Sequence, residues 1–128
     1  MSVVFRPGDH NVTFIRVPLQ WEPEELDDFQ LVTVDTGLGI TSGMIDSDVG
    51  KGYANIDLAY GLYGPFENNK ESRVLLSFSL RAVGKPGAQS VIVFGSDVQA
   101  LSMSDWDATS DNILGFRPGG PTAVVHIQ

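Results

Sequence analysis

Residues 15–26 read Ile-Arg-Val-Pro-Leu-Gln-Trp-Glu-Pro-Glu-Glu-Leu, and apolar and polar side chains alternate along the first seven of them. The apolar parity is held by Ile15, Val17, Leu19 and Trp21. Alternation with period two predicts a strand that buries one face. Pro23 has no N–H and a fixed φ, so strand pairing should stop there. Glu24 and Glu25 favour a single turn, after which Leu26 can fold back and plug the end of a sandwich core.

The bulk composition is that of an ordinary folded domain. The chain has 128 residues, 42% of them hydrophobic and 19% charged, so we expect residues 1–128 to form one domain with its own core. Fourteen Gly and seven Pro favour many short strands joined by turns. A net charge of −8 disfavours nucleic acid as a partner, because phosphates would be repelled. The absence of cysteine excludes disulfides, thiolate metal sites and a Cys nucleophile.

The sequence carries no signal for a membrane span. No stretch approaches the roughly 18 apolar residues that a transmembrane helix needs. The first four residues, Met-Ser-Val-Val, lack the basic segment and long apolar core of a signal peptide. We therefore expect an excised domain of an extracellular or cell-surface protein, without its signal peptide.

Period-two alternation recurs in two further stretches. Tyr53–Tyr60 places Ile56, Leu58 and Tyr60 on one face. Arg73–Ala82 places Val74, Leu76, Phe78 and Leu80 inward. Shorter strands are predicted at Val3–Phe5, Leu31–Val34, Ser90–Phe94, Ala100–Met103 and Thr122–Ile127. Residues 37–52 and 105–112 are predicted as loops, the first with at most a short strand. No stretch has helical periodicity, which predicts an antiparallel β-sandwich with jelly-roll topology and about eight or nine strands.

Three passages carry a resemblance to a known family. Residues 21–26, Trp-Glu-Pro-Glu-Glu-Leu, are similar to an aromatic-Asp-Pro-x-x-Leu corner. Residues 54–61 with 71–83, and residues 87–94 with 122–127, are similar to strands that follow that corner. In these passages the chain resembles cohesin domains, the jelly-roll modules of bacterial cellulosome scaffolds that bind dockerins. The resemblance implies a dockerin-like protein partner, received on the face of a sheet.

The residues predicted to bind that partner lie on the outward parity of the two long strands. They are Asn55, Asp57, Arg73, Leu75 and Ser77. Small polar groups around one exposed leucine fit an interface better than an ordinary solvent face, which would hold more Lys and Glu. Leu75 is the expected apolar anchor, with the other four hydrogen-bonding around it.

No catalytic, cofactor or metal site is predicted, and we expect the protein not to be an enzyme. His10 and His126, the only histidines, have no carboxylate partners at a recognisable spacing. Residues 46–50, Asp-Ser-Asp-Val-Gly, resemble the start of a calcium loop, but the bidentate Glu that closes such a loop is missing. A plain Asp/Gly turn is the better interpretation.

Two alternative functions remain open at this point. One is a carbohydrate-binding jelly roll that binds polysaccharide by stacking sugar rings on Trp106, Tyr60 or Tyr63. The other is a structural surface protein that self-assembles by pairing its terminal strands with copies of itself.

Overall fold

The computed structural model describes residues 1–5, 12–34, 41–60, 73–103, 110–112 and 123–128. These residues form ten strands and a 3₁₀ turn at Val49–Lys51, with no α-helix among them, so the all-β prediction is confirmed. The strands are β1 Ser2–Phe5, β2 Val12–Gln20, β3 Leu26–Val34, β4 Thr41–Asp48, β5 Tyr53–Tyr60, β6 Arg73–Ala82, β7 Gln89–Phe94, β8 Gln99–Met103, β9 Ser110–Asn112 and β10 Ala123–His126.

The strands form two antiparallel sheets that pack as a sandwich. The smaller sheet has the order β1-β6-β3. The larger sheet has the order β10-β7-β2-β5-β4, with β8 also pairing β2 and β9 pairing β8. The pairings are nested outward from β4–β5, through β3–β6 to β2–β7, and successive pairs alternate between the two sheets. This nesting is the wiring of a jelly roll, in which a long hairpin folds over on itself.

The core lies between the inner faces of the two sheets. On β2, Ile15, Val17 and Leu19 are each 2% exposed, so the predicted alternation is confirmed. Ile56 and Leu58 of β5 are also buried, as predicted. An aromatic stack joins the sheets: the ring centroid of Trp21 lies 5.5 Å from that of Phe29, which lies 5.6 Å from that of Phe78. Such stacked pairs contribute stability beyond the area they bury.

Residues 21–26 form the corner that carries the chain from the larger sheet to the smaller one. The amides of Glu25 and Leu26 donate to the carbonyl of Glu22 at 3.1 and 3.0 Å, which closes the predicted single turn. Leu26 is fully buried, as predicted. The Trp21 amide donates to the carbonyl of Gly52 at 2.8 Å. A side chain at Gly52, where φ is +72°, would overlap the Trp21 carbonyl, so this approach requires glycine.

Three predicted boundaries are wrong. Residues 41–48, predicted as loop, form β4, which pairs with β5 residue by residue. β3 begins at Leu26 and not at Leu31, because Asp27 pairs with Arg81 of β6. Ser110–Asn112, within the predicted polar loop, form the short strand β9 against β8. In each case pairing with another strand overrides a polar local composition.

A β-bulge on β6 reverses part of its predicted facing. Val3 of β1 pairs with Leu76, but the next residue, Val4, pairs with Val74, so Leu75 has no partner in the register. Leu75 and Leu76 are 1% and 0% exposed, whereas Val74 is 52% exposed. The predictions that Val74 points inward and Leu75 outward are therefore wrong. The physical reason is that an extra residue in one strand resets which side chains face the core.

Candidate recognition surface

The five predicted site residues do not form one surface. Asn55 and Asp57 lie on β5 of the larger sheet, whereas Arg73, Leu75 and Ser77 lie on β6 of the smaller sheet. The outward faces of the two sheets point to opposite sides of a sandwich. The prediction of one face shared by β5 and β6 is therefore wrong. A period-two pattern indicates which residues of a strand face the same way, but it does not indicate which sheet the strand joins.

The smaller-sheet members of that predicted site have other environments. Leu75 is buried in the core, so it is not the exposed apolar anchor that the alternation predicted. Ser77 is half-buried, and its hydroxyl hydrogen-bonds with that of Thr33 on β3. Arg73 pairs with Phe5 through its backbone position, and its side chain lies outside what the structure describes.

The larger-sheet members belong to an organised polar face. Arg16 of β2 lies directly opposite Asp57 of β5. Its Nε and Nη2 atoms each donate to one carboxylate oxygen of Asp57, both at 2.8 Å. The side chains are 35% and 17% exposed, and the guanidinium lies 5.6 Å from the ring centroid of Phe14. The Asp57 hydrogen bonds raise the pKa of Arg16 above its usual value, and the two parallel hydrogen bonds hold the guanidinium in one orientation.

A break beside β2 shapes the same face. Arg16 pairs with Gln99 of β8 and Leu19 pairs with Phe94 of β7, so residues 95–98 form an insertion opposite Val17 and Pro18. Pro18 has no N–H to offer a neighbour at this point, which explains how a proline fits inside a central strand. Its carbonyl instead accepts from the Gly95 amide at 2.9 Å, and Val98 donates to the Gly95 carbonyl at 3.3 Å.

A shallow polar pocket of about 400 Å³ lies between this insertion and the corner. Its side chains come from Gln20, Lys51, Tyr53, Asn55 and Asp97, and the Trp21–Gly52 contact forms part of the wall. The side chains of Gln20, Tyr53 and Asn55 make no hydrogen bond to any residue that the structure describes. Their donors and acceptors are therefore available to a ligand or a partner.

Sequence reasoning missed Arg16, Gln20, Tyr53 and Asp97 as members of this surface. The outward parity of β2 already placed Arg16 and Gln20 on an exposed face. What the pattern could not supply was the pairing of β2 with β5, which brings Arg16 to Asp57. Asp97 depends on the insertion between β7 and β8, and Asp97-Val98 gave no turn signal strong enough to locate it.

The structure describes only some of the other residues that the sequence offered as candidates for a site. His126 is exposed on β10, and His10 lies outside the described residues. Trp106 and Tyr63 also lie outside the described residues, as does the side chain of Tyr60. Asp46 and Asp48 are at the end of β4 rather than in a loop. Within the described ranges, no three His, Asp or Glu residues are grouped as metal ligands would be.

Comparison with known proteins identifies no family for this chain. Neither a protein-family model nor a curated protein matches it. The resemblance to cohesins therefore stays a prediction from the three short passages of sequence. In the part of the chain that the structure describes, no helix has the length and apolar character to cross a bilayer.

Proposed function

We propose that this chain is a non-catalytic protein-binding module whose partner docks on the outer face of the larger sheet. The observation that carries the proposal is the fixed Arg16–Asp57 pair, which lies beside the side chains of Gln20, Tyr53 and Asn55, none of which hydrogen-bonds to a described residue. On the cohesin resemblance, the partner is dockerin-like and the module belongs to an extracellular assembly.

The shape and composition of this face suit a protein partner. β2 and β5 pair from Phe14 to Gln20 without interruption, which gives a continuous surface along both strands. Arg and Tyr are enriched at protein interfaces, and Lys and Glu are depleted there. A bidentate Arg–Asp pair is already oriented before the partner arrives, so binding requires little further ordering of these two side chains.

The same geometry gives Asp57 a positioning role. Both oxygens of Asp57 accept hydrogen bonds from Arg16. A bidentate pair of this kind fixes the orientation of both side chains. Asp57 is thus suited to holding the Arg16 side chain in one conformation.

A carbohydrate is the second candidate ligand for this face. The observation that favours it is the pocket of about 400 Å³, in which Gln20, Tyr53, Asn55 and Asp97 converge. Amides, a phenol and a carboxylate match the hydroxyl groups of a sugar, and Tyr53 offers an aromatic ring for stacking. Isothermal titration with soluble glycans tests this candidate directly.

The protein-binding proposal is tested by biolayer interferometry of the chain against a panel of dockerin modules. Asn55→Arg places a long charge in the middle of the proposed surface, and Ser79→Arg places the same side chain on the outer face of the smaller sheet. We expect wild type and Ser79→Arg to bind a dockerin equally and Asn55→Arg to lose about tenfold or more in affinity.

The outcomes separate the alternatives. Weakening by Ser79→Arg alone would move the interface to the smaller sheet. Failure of every dockerin, together with glycan binding that Asn55→Arg abolishes, would replace the protein partner by a sugar. Equal melting temperatures for the two variants establish that neither result comes from unfolding.

A further inference from the structure

One side of the sandwich combines two unprotected strand edges with an apolar cleft. The sheets end there in β1 and β10, each of which has a single neighbour among the described strands. Between these strands lies a cleft of about 350 Å³ lined by Val3 and Val4 of β1, Ile92 and Phe94 of β7, Ala123 of β10 and Phe78 of β6. Ile92 and Phe78 are core residues, so the cleft reaches down to the core.

The backbone at this edge is oriented to accept another strand. Met1 and Phe78 exchange both of their backbone hydrogen bonds, at 2.7 and 2.9 Å. In an antiparallel pair the next residue along the strand has its N–H and C=O directed away from the neighbour. The backbone groups of Ser2 therefore face the open side of β1. Exposed edges of this kind are templates for pairing with another chain.

The two sides of the sandwich differ in charge. The other side ends in β3 and β4, which carry Asp27, Asp28, Asp46 and Asp48. β1 reads Ser-Val-Val-Phe and β10 reads Ala-Val-Val-His, with no Asp, Glu, Lys or Arg in either. Charged residues on edge strands prevent edge-to-edge association. That protection is present on the β3/β4 side and missing on the β1/β10 side.

We propose that a second copy of this chain covers the β1/β10 side, with β1 pairing antiparallel to β1 of the second copy about a two-fold axis. Each copy has a net charge of −8, so two copies repel each other wherever acidic surfaces meet. The β1/β10 side, whose two edge strands contain no Asp or Glu, is the one along which they can approach without that cost. A two-fold interface needs only a self-complementary patch, and an apolar edge without acidic side chains meets this requirement. The proposal is independent of the recognition surface on the larger sheet.

The first test is the mass of the whole chain by sedimentation equilibrium over a range of concentrations. We expect a reversible transition from the 13.8 kDa monomer to a species of twice that mass. Val4→Lys adds a charge to β1 of each copy, within the proposed pairing, and should weaken dimerisation roughly tenfold or more. Val32→Lys is the matched control, because Val32 is as exposed as Val4, at 62% against 59%, but lies on β3.

A second variant tests the backbone pairing without adding charge. Ser2→Pro deletes the outward N–H and leaves the donors that face β6 in place, so it should weaken the dimer while the far-ultraviolet spectrum stays unchanged. A wild-type chain that remains monomeric at millimolar concentration would overturn the proposal. So would a dimer that Val32→Lys disrupts and Val4→Lys does not. A monomer that instead captures a peptide copying residues 123–128 would show that the edge takes a strand from another source.

Discussion

The two outer faces of the sandwich are built from different side chains, although both are β-sheet faces of one acidic chain. The larger sheet presents Arg16 and Asp57 locked together beside amide side chains that make no hydrogen bond to a described residue. The smaller sheet also has a bidentate pair, Arg81–Asp27, but combines it with the exposed valines Val4, Val32 and Val74. The two faces therefore differ less in their ion pairs than in what surrounds them, and on the smaller sheet a bulge turns Leu75 inward.

The largest expected effect tests that bulge. Leu75→Ala should destabilise the protein by about 2–5 kcal/mol, because it removes buried methyl groups and leaves a cavity. Val74→Ala, one residue earlier, should cost less than about 1 kcal/mol because Val74 is largely exposed. Urea unfolding followed by tryptophan fluorescence measures both. A small loss of stability for Leu75→Ala with a large loss for Val74→Ala would indicate that β6 alternates regularly and has no bulge.

An intermediate effect compares the ion pairs of the two sheets. Asp57→Ala leaves Arg16 without its partner in a half-buried position, and we expect a loss of about 1 kcal/mol. Asp27→Ala breaks the corresponding Arg81–Asp27 pair, which has similar distances of 2.9 Å but is more exposed. The second substitution should therefore cost less than the first. A larger loss of stability for Asp27→Ala than for Asp57→Ala would show that the lower exposure of the Arg16–Asp57 pair does not make it the stronger one.

The smallest effect concerns pH. Hydrogen bonds from Arg81 lower the pKa of Asp27 below its ordinary value of 3.8. A carboxyl group with a lowered pKa in the folded state contributes stability above its unfolded pKa and loses that contribution as the pH falls through the folded value. Asp27→Asn should therefore be slightly less stable than wild type at pH 7, and the difference should shrink as the pH falls through the folded-state pKa of Asp27. A difference that persists unchanged at the lower pH would mean that the ion pair is not its cause.

The alternation of apolar residues was sufficient to predict part of this architecture. Ile15, Val17, Leu19 and the corner at Trp21–Leu26 are local patterns, and the structure confirms them. The facing of Leu75 was not predictable in this way, because a bulge depends on how β1 aligns with β6. The assignment of β5 and β6 to different sheets also depends on pairings between residues far apart in the chain. The polar surface could be predicted only as far as Asn55 and Asp57, since Arg16 reaches Asp57 through such a pairing.

The most direct test of the placement of β5 and β6 in opposite sheets is the distance between spin labels at Asn55→Cys and Ser79→Cys. The chain has no other cysteine, so these two positions alone would be labelled. Sheets in a sandwich lie about 10 Å apart, and labels on opposite outer faces should be separated by more than roughly 20 Å. A distance of about 10 Å or less by electron paramagnetic resonance would contradict the two-sheet arrangement, because that separation is expected for neighbouring strands of one face.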